Sequence, residues 1–160
     1  NIESYWRLDK TTTDFIARAR YLDPMIVQPE EWSNNKNGGY ITTKNSVVLG
    51  KNKHHDGDQA LDVLNILQKI DWSLDPRILN IEEESKKPLN TLEKKKAFTL
   101  MTSISKQVYK EMLQQGNRFF LAWKMDFRGR VYSDGYYINL QSNSYRKAML
   151  EFTKKQLIAG

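Results

Sequence analysis

The run Leu121 to Tyr132, Leu-Ala-Trp-Lys-Met-Asp-Phe-Arg-Gly-Arg-Val-Tyr, constrains this chain more than any other stretch, because apolar and polar residues alternate through it. An extended chain sends successive side chains to opposite faces, so a strand over 121–132 puts Leu121, Trp123, Met125, Phe127, Gly129 and Val131 on one side. That side is the expected core face. The other carries Ala122, Lys124, Asp126, Arg128, Arg130 and Tyr132, which is two guanidiniums, an ammonium and a phenol in a row with one carboxylate. Gly129, between the arginines, lets another backbone approach closely or lets the chain turn through a conformation other residues avoid. Two readings fit such a face. One is a ribbon that binds a phosphate chain; the other is an ordinary edge strand, apolar inside and polar outside, in which Asp126 neutralises a neighbour.

The 160 residues suffice for one compact domain with a single core. There is no cysteine, which excludes disulfides, thiolate-metal sites and zinc fingers and is compatible with a reducing compartment. No apolar run approaches the roughly 18 residues of a membrane span, and no membrane partner is expected. The chain begins at Asn1 without a charged-then-apolar leader, and the missing initiator methionine is read as the mark of a fragment or trimmed chain. The formal charge of +6 is unevenly spread: residues 1–81 hold 10 basic and 11 acidic side chains, whereas 82–160 hold 15 and 8. A polyanion is therefore expected to bind the second half. Its charges are interleaved with Trp, Tyr and Phe on a strand pattern and do not line a basic amphipathic helix, which favours nucleic acid over lipid headgroups.

In chain order, Thr13 or Asp14 is a candidate cap for a short helix ending near Tyr21. Pro24, Pro29 and Gly38-Gly39 punctuate two short extended pieces with a buried Trp32 between them and an exposed Asn/Lys loop. A helix from about Gln59 to Ile70 follows the His54-His55-Asp56-Gly57-Asp58 run, which reads either as a metal site or, preferably, as a solvated loop whose Asp56 or Asp58 caps the helix. Asp75-Pro76 is a helix breaker. After the charged connector Glu82 to Pro88, Asn90 to Glu93 has capping-box spacing and Gly116 suits a C-terminal cap, bracketing a helix of about two dozen residues. Phe98, Met101, Ile104, Val108 and Met112 form its apolar stripe, with Lys94, Lys95, Lys96, Lys106 and Lys110 elsewhere, as on an ordinary amphipathic surface helix. Asp134-Gly135 is a candidate turn leading to a returning strand Tyr136 to Asn139. Ser144 is a candidate cap for a helix on which Tyr145, Ala148, Met149 and Phe152 share spacing. The resulting fold class is α+β, with helical elements packed on a small antiparallel sheet.

Asp126-Phe127-Arg128-Gly129-Arg130-Val131-Tyr132 resembles the Asp-aromatic-Arg-Gly-Arg-Val-Tyr motif of the single-subunit, bacteriophage-type DNA-directed RNA polymerases, a family that includes the mitochondrial enzymes. Pro24-Met25…Pro29…Trp32…Gly38-Gly39-Tyr40 resembles a segment upstream of that motif, and Leu64-Asn65…Gln68…Trp72…Ile78-Leu79 resembles a family helix. Gln141-Ser142-Asn143-Ser144 resembles a Pro-Gln-Gly-Asn-Asp loop, with Ser142 in place of the glycine and Ser144 in place of the acid. Lys154 to Gly160 resembles the Lys-Gly-Lys-Pro-Ile-Gly that follows it.

The resemblance implies that residues 1–81 end an N-terminal region, 82–117 form a thumb-like segment and 118–160 begin the palm. It implies that Arg130 chiefly, with Arg128, Lys124 and Tyr132, holds template DNA and the RNA–DNA hybrid, while Lys95, Lys106 and Lys110 of the thumb touch phosphates. Asp126, Gly129, Gly38, Gly39, Tyr40 and Trp32 are the motif and structural residues. No carboxylate pair matches a catalytic motif, so Mg2+ and its aspartates are expected outside this chain, in a C-terminal part or a second polymerase subunit, because some phage enzymes are split in two. The implied compartment is the cytoplasm of an infected bacterial host or, as a second choice, the mitochondrial matrix. A non-catalytic nucleic-acid-binding module is the competing class. A small metal hydrolase using His54, His55, Asp56 and Asp58 is a remote third.

Overall fold

The computed structural model describes residues 7–43, 46–50, 53 and 55–155. The chain is α+β. Its elements in order are α1 (Lys10–Arg18), β1 (Glu30–Asn34), β2 (Asn37–Gly39), α2 (Leu61–Gln68), β3 (Asp71–Leu74), α3 (Pro76–Leu79), α4 (Leu92–Gln114), β4 (Phe119–Phe120), β5 (Ala122–Met125), β6 (Val131–Asp134), α5 (Ser144–Ala148) and β7 (Leu150–Phe152). Strands β4, β3 and β7 form an antiparallel sheet with β3 in the middle, while β1–β2 and β5–β6 are antiparallel hairpins. One core, including Trp32, Val47, Leu64, Leu74, Val108, Phe119, Leu121 and Trp123, joins these pieces.

The local chemistry explains most boundaries. Asp9, not Thr13 or Asp14, caps α1 by accepting from the Thr12 N–H. Helix α2 begins at Leu61 with Ala60 at the cap position and no side-chain cap, so Asp56 and Asp58 do not perform that role. It ends at Gln68, close to the expected Ile70, and the following residues, which resemble the continuation of a family helix, form the fully buried strand β3, after which Asp75 caps the short α3 with Pro76 at its first position. Thr91, not Asn90, caps α4 by accepting from the Lys94 N–H at 3.2 Å, one residue beyond the expected capping-box position. At the other end Gly116 (φ +93°) and Asn117 (φ 52°) turn the chain left-handed, and Asn117 pairs with Leu74 like a strand residue, accepting its N–H at 2.8 Å and donating to its carbonyl at 2.9 Å. Asn143, not Ser144, caps α5, which stops at Ala148 so that Leu150–Phe152 can pair with β3 as β7.

Two corrections concern the opening motif itself. Leu121 to Tyr132 is not one strand: β5 stops at Met125 and β6 restarts at Val131, pairing Met125 with Val131 and Ala122 with Asp134. The returning strand is therefore Val131–Asp134, and residues 136–139 belong to no strand. A period of two holds equally for one long strand and for two short ones, and the intervening Asp126 and Gly129 decide the matter in favour of a turn.

A polar lattice supports β5. The Asn65 side chain accepts the Trp32 N–H at 2.7 Å and donates to the Trp32 carbonyl at 3.1 Å. Gln68, fully buried, donates to the Glu30 carbonyl at 2.9 Å and accepts from the Trp123 N–H at 3.2 Å. The Trp32 indole donates to the Trp123 carbonyl at 3.0 Å. Two amides on one face of α2 thus join β1 to β5, filling backbone partners that an isolated short strand lacks. Gly38 and Gly39 are required because Trp32 lies on them: a Cβ at Gly38 would come within 2.6 Å of the Trp32 Cα, and Gly39 has φ +79°.

Candidate nucleic-acid interface

The β5–β6 turn is organised around one carboxylate. Asp126 Oδ1 accepts the N–H groups of Arg128 (2.9 Å) and Arg130 (3.0 Å), while Oδ2 accepts from Arg128 Nε and Nη2 (3.3 and 3.2 Å) and Arg130 Nε (3.0 Å). The backbone closes with Gly129 N–H to the Asp126 carbonyl (2.9 Å) and Asp126 N–H to the Arg130 carbonyl (2.8 Å). This is the bonding of a three-residue hairpin loop whose third residue is left-handed, and Gly129 supplies it with φ +79°. A Cβ there would meet nothing within 4 Å, so backbone strain alone demands glycine. Burial by itself would raise the Asp126 pKa, but the Arg130 N–H and guanidinium, helped by the Lys53 charge, hold it below the usual carboxylate value.

The guanidiniums of Arg128 and Arg130 are thus ion-paired, not free, yet their side chains remain 60% and 54% exposed. Both are held through Nε, which leaves Nη groups able to donate outward. Phe127, expected in the core, is 66% exposed at the tip of the loop. Its ring has the Lys53 Nζ 5.1 Å and the Arg128 Cζ 5.6 Å from its centroid. Lys53 is delivered by residues 47–49, which run parallel to β5: Leu49 donates to the Met125 carbonyl (2.8 Å) and Met125 to that of Val47 (3.0 Å). The tip therefore combines three cations, one carboxylate and an exposed ring, a set that suits a sugar–phosphate strand with accessible bases.

The other expected site residues separate into three groups. Lys124 does not join the row of cations; it is 8% exposed and its Nζ is 3.0 Å from Asp134 Oδ2, because β5 is covered on both sides. Tyr132 is half-buried on β6 opposite Lys124. Trp32 and Tyr40 are buried, and the Tyr40 hydroxyl, its pKa raised mainly by burial, donates to the Asp134 carbonyl at 2.7 Å. Lys95, Lys106 and Lys110 are exposed on α4, on the helix side opposite Ile104, Val108 and Met112, and that helix packs on β3 rather than on the hairpin. His54 lies outside the described residues. His55 Nδ1 accepts from the Gly57 N–H at 2.9 Å, and among the described residues no three His, Asp or Glu side chains gather to hold a metal ion.

Phe127 and Lys53 are the tip residues that alternation alone misplaces or overlooks. The Asp-x-x-Gly spacing of 126–129 carries the needed signal, since Asp favours the first and Gly the fourth position of a type I turn. Nothing in sequence points to Lys53, which reaches the tip through a parallel bridge.

No family model matches the chain. It is 27% identical over 165 aligned residues to a protein of Podospora anserina named a probable DNA-directed RNA polymerase, an alignment covering 82% of this chain and 17% of that protein. The chain thus spans a small part of the length of this relative, and the similarity supports a relationship to RNA polymerases.

Proposed function

We propose that this chain is a portion or subunit of a DNA-dependent RNA polymerase of the single-subunit type, in which the 126–130 turn holds template DNA and the RNA–DNA hybrid. The similarity to the probable DNA-directed RNA polymerase over most of the chain is the observation that carries this reading. Arg130 is the principal contact, with Arg128 beside it, Phe127 offering a ring to unpaired bases and Lys53 a third cation. Tyr132 and the shielded Lys124 support the strands behind. Residues 1–81, 82–117 and 118–160 take the places of the end of an N-terminal region, a thumb and the start of a palm, and Lys95, Lys106 and Lys110 are secondary phosphate contacts.

On this reading Mg2+ and its aspartates belong to a C-terminal part or second polypeptide, because no carboxylate pair of the sequence stands in a catalytic motif. The chain alone then makes no RNA. A bacterial cytoplasm, for a phage-encoded enzyme, or a mitochondrial matrix is the corresponding compartment. The test is template-directed extension by the chain mixed with a polypeptide carrying the palm aspartates. Extension is expected only from the mixture and is expected to fall at least tenfold with Arg130→Ala. Synthesis by the chain alone, or full extension by the variant, contradicts the reading.

A further inference from the structure

A cleft of about 430 Å3 opens beside α4, between the connector that carries Glu83 to Lys87 and the loop from Gly135 to Asn143. Its shape is fixed from behind. Arg146 of α5 and Glu83 of the connector are 4% and 3% exposed at the side chain and meet at 3.0 Å. Arg146 also donates to Ser105 Oγ of α4 at 3.0 Å and to the carbonyls of Tyr136 and Tyr137. One guanidinium therefore ties connector, helix and loop together around the cleft.

The lining supplies three kinds of contact. Phe98 and Met101 of α4 make an apolar wall. Tyr136, 40% exposed, is stacked on Tyr21 with ring centroids 3.8 Å apart and 9° between planes, so its ring is braced as a platform. The rim is rich in donors. Gln141 Oε1 already accepts from the Ser133 N–H (3.2 Å) and Oγ (3.0 Å), which leaves its amide nitrogen as the end able to bind elsewhere. Among the described residues the Lys86 and Lys87 ammonium groups have no hydrogen-bond or ion-pair partner, while Glu84 leaves the rim with a net charge of +1.

We propose that this cleft binds one unpaired nucleotide of a nucleic-acid strand, with the base on Tyr136, a base carbonyl accepting from Gln141 and the phosphate at Lys86 and Lys87. A braced ring, an amide donor and paired cations match a base and its phosphate in a volume suited to a single nucleotide. Bases inside a duplex cannot reach such a ring, and an acidic peptide would leave it unused. This site is separate from the 126–130 turn and does not depend on it.

The experiment is anisotropy of a labelled eight-residue oligouridylate bound to the whole chain, in the wild type and in an Arg130→Ala protein, with an abasic strand and a duplex of equal length as comparisons. In both backgrounds Tyr136→Ala is expected to lower affinity about tenfold and Tyr136→Phe to leave it near its parent, which separates loss of the platform from loss of fold. Lys86→Ala with Lys87→Ala is expected to reduce the slope of log affinity against log salt by about one to two. The abasic strand should be insensitive to Tyr136→Ala. The proposal is overturned if the tyrosine and lysine variants bind like their parents, or if the duplex binds as tightly and responds equally to Tyr136→Ala. Weakening by Arg130→Ala without any effect here would sink the cleft and spare the turn; the reverse pattern would spare the cleft.

Discussion

The hairpin tip, with Arg128, Arg130 and Lys53, and the outer face of α4, with Lys95, Lys106 and Lys110, each present three cations but differ in how they are held. On α4, Lys95, Lys106 and Lys110 stand on an exposed helical face over roughly 22 Å of axis, with no partner among the described residues. At the tip, Arg128 and Arg130 share one carboxylate and ride on strands braced by Gln68, Asn65 and Trp32. An ammonium on a flexible stem loses conformational freedom when it grips a phosphate, whereas a guanidinium already fixed through Nε has lost much of that freedom in folding. Cations held differently are expected to act differently: in the proposed function the tip specifies geometry and the helix only attracts.

This contrast depends first on the platform. Trp32→Ala removes a buried ring and its hydrogen bond to the Trp123 carbonyl, and is expected to destabilise the chain by about 3–5 kcal/mol, read by denaturant unfolding. A loss under about 1 kcal/mol would mean that Trp32 does not brace β5. Gly38→Ala, which drives a methyl against the Trp32 backbone, is expected to cost about 1–3 kcal/mol by the same measurement.

Asp126 sharpens the contrast, because charge and organisation predict opposite signs for its removal. Asp126→Ala deletes a negative charge beside two arginines, yet it also removes the acceptor for two N–H groups and both guanidiniums. On the present account single-stranded DNA binding weakens about fivefold. Asp126→Asn, which keeps the backbone acceptor, is expected to stay within about twofold of wild type. Tighter binding by the alanine variant would show that electrostatic attraction alone governs the tip.

The smallest effect is one of pH. The Asp75 carboxyl is lowered from 3.8 to about 2, chiefly by the Arg77 side chain and N–H. A depressed folded-state value gives stability that is fully present above about pH 4 and is lost as pH falls towards 2. Asp75→Asn should flatten the acid limb of the stability curve over that interval, and an unchanged limb would refute the assignment.

How far the sequence was legible follows the same division. Helix α4, its Gly116 end and the burial of Trp32 could be anticipated from near neighbours, whereas its N-terminal cap falls one residue later than the Asn90 spacing suggests, and the packing of Trp32 on Gly38-Gly39 is visible only in the fold. Strand β3 could not be: Asp71–Leu74 follows directly on a helix, and it is extended because β4, β7 and the Asn117 side chain complete its hydrogen bonds from far along the chain. The tip was half legible. Its arginines and Asp126 stand out in the sequence, but alternation places Phe127 in the core where the turn exposes it, and the burial of Lys124 depends on Asp134 across the hairpin.

The central claim is that Arg130, on its organised turn, contacts a nucleic-acid strand more effectively than a lysine of α4. The most direct measurement is the affinity of the chain for single-stranded DNA across a salt series, comparing Arg130→Ala with Lys106→Ala. The account predicts that Arg130→Ala weakens binding about ten- to hundredfold and lowers the salt slope by about one, while Lys106→Ala costs no more than about threefold. Equal losses for the two variants, or an Arg130→Ala plot that superimposes on wild type, would contradict it.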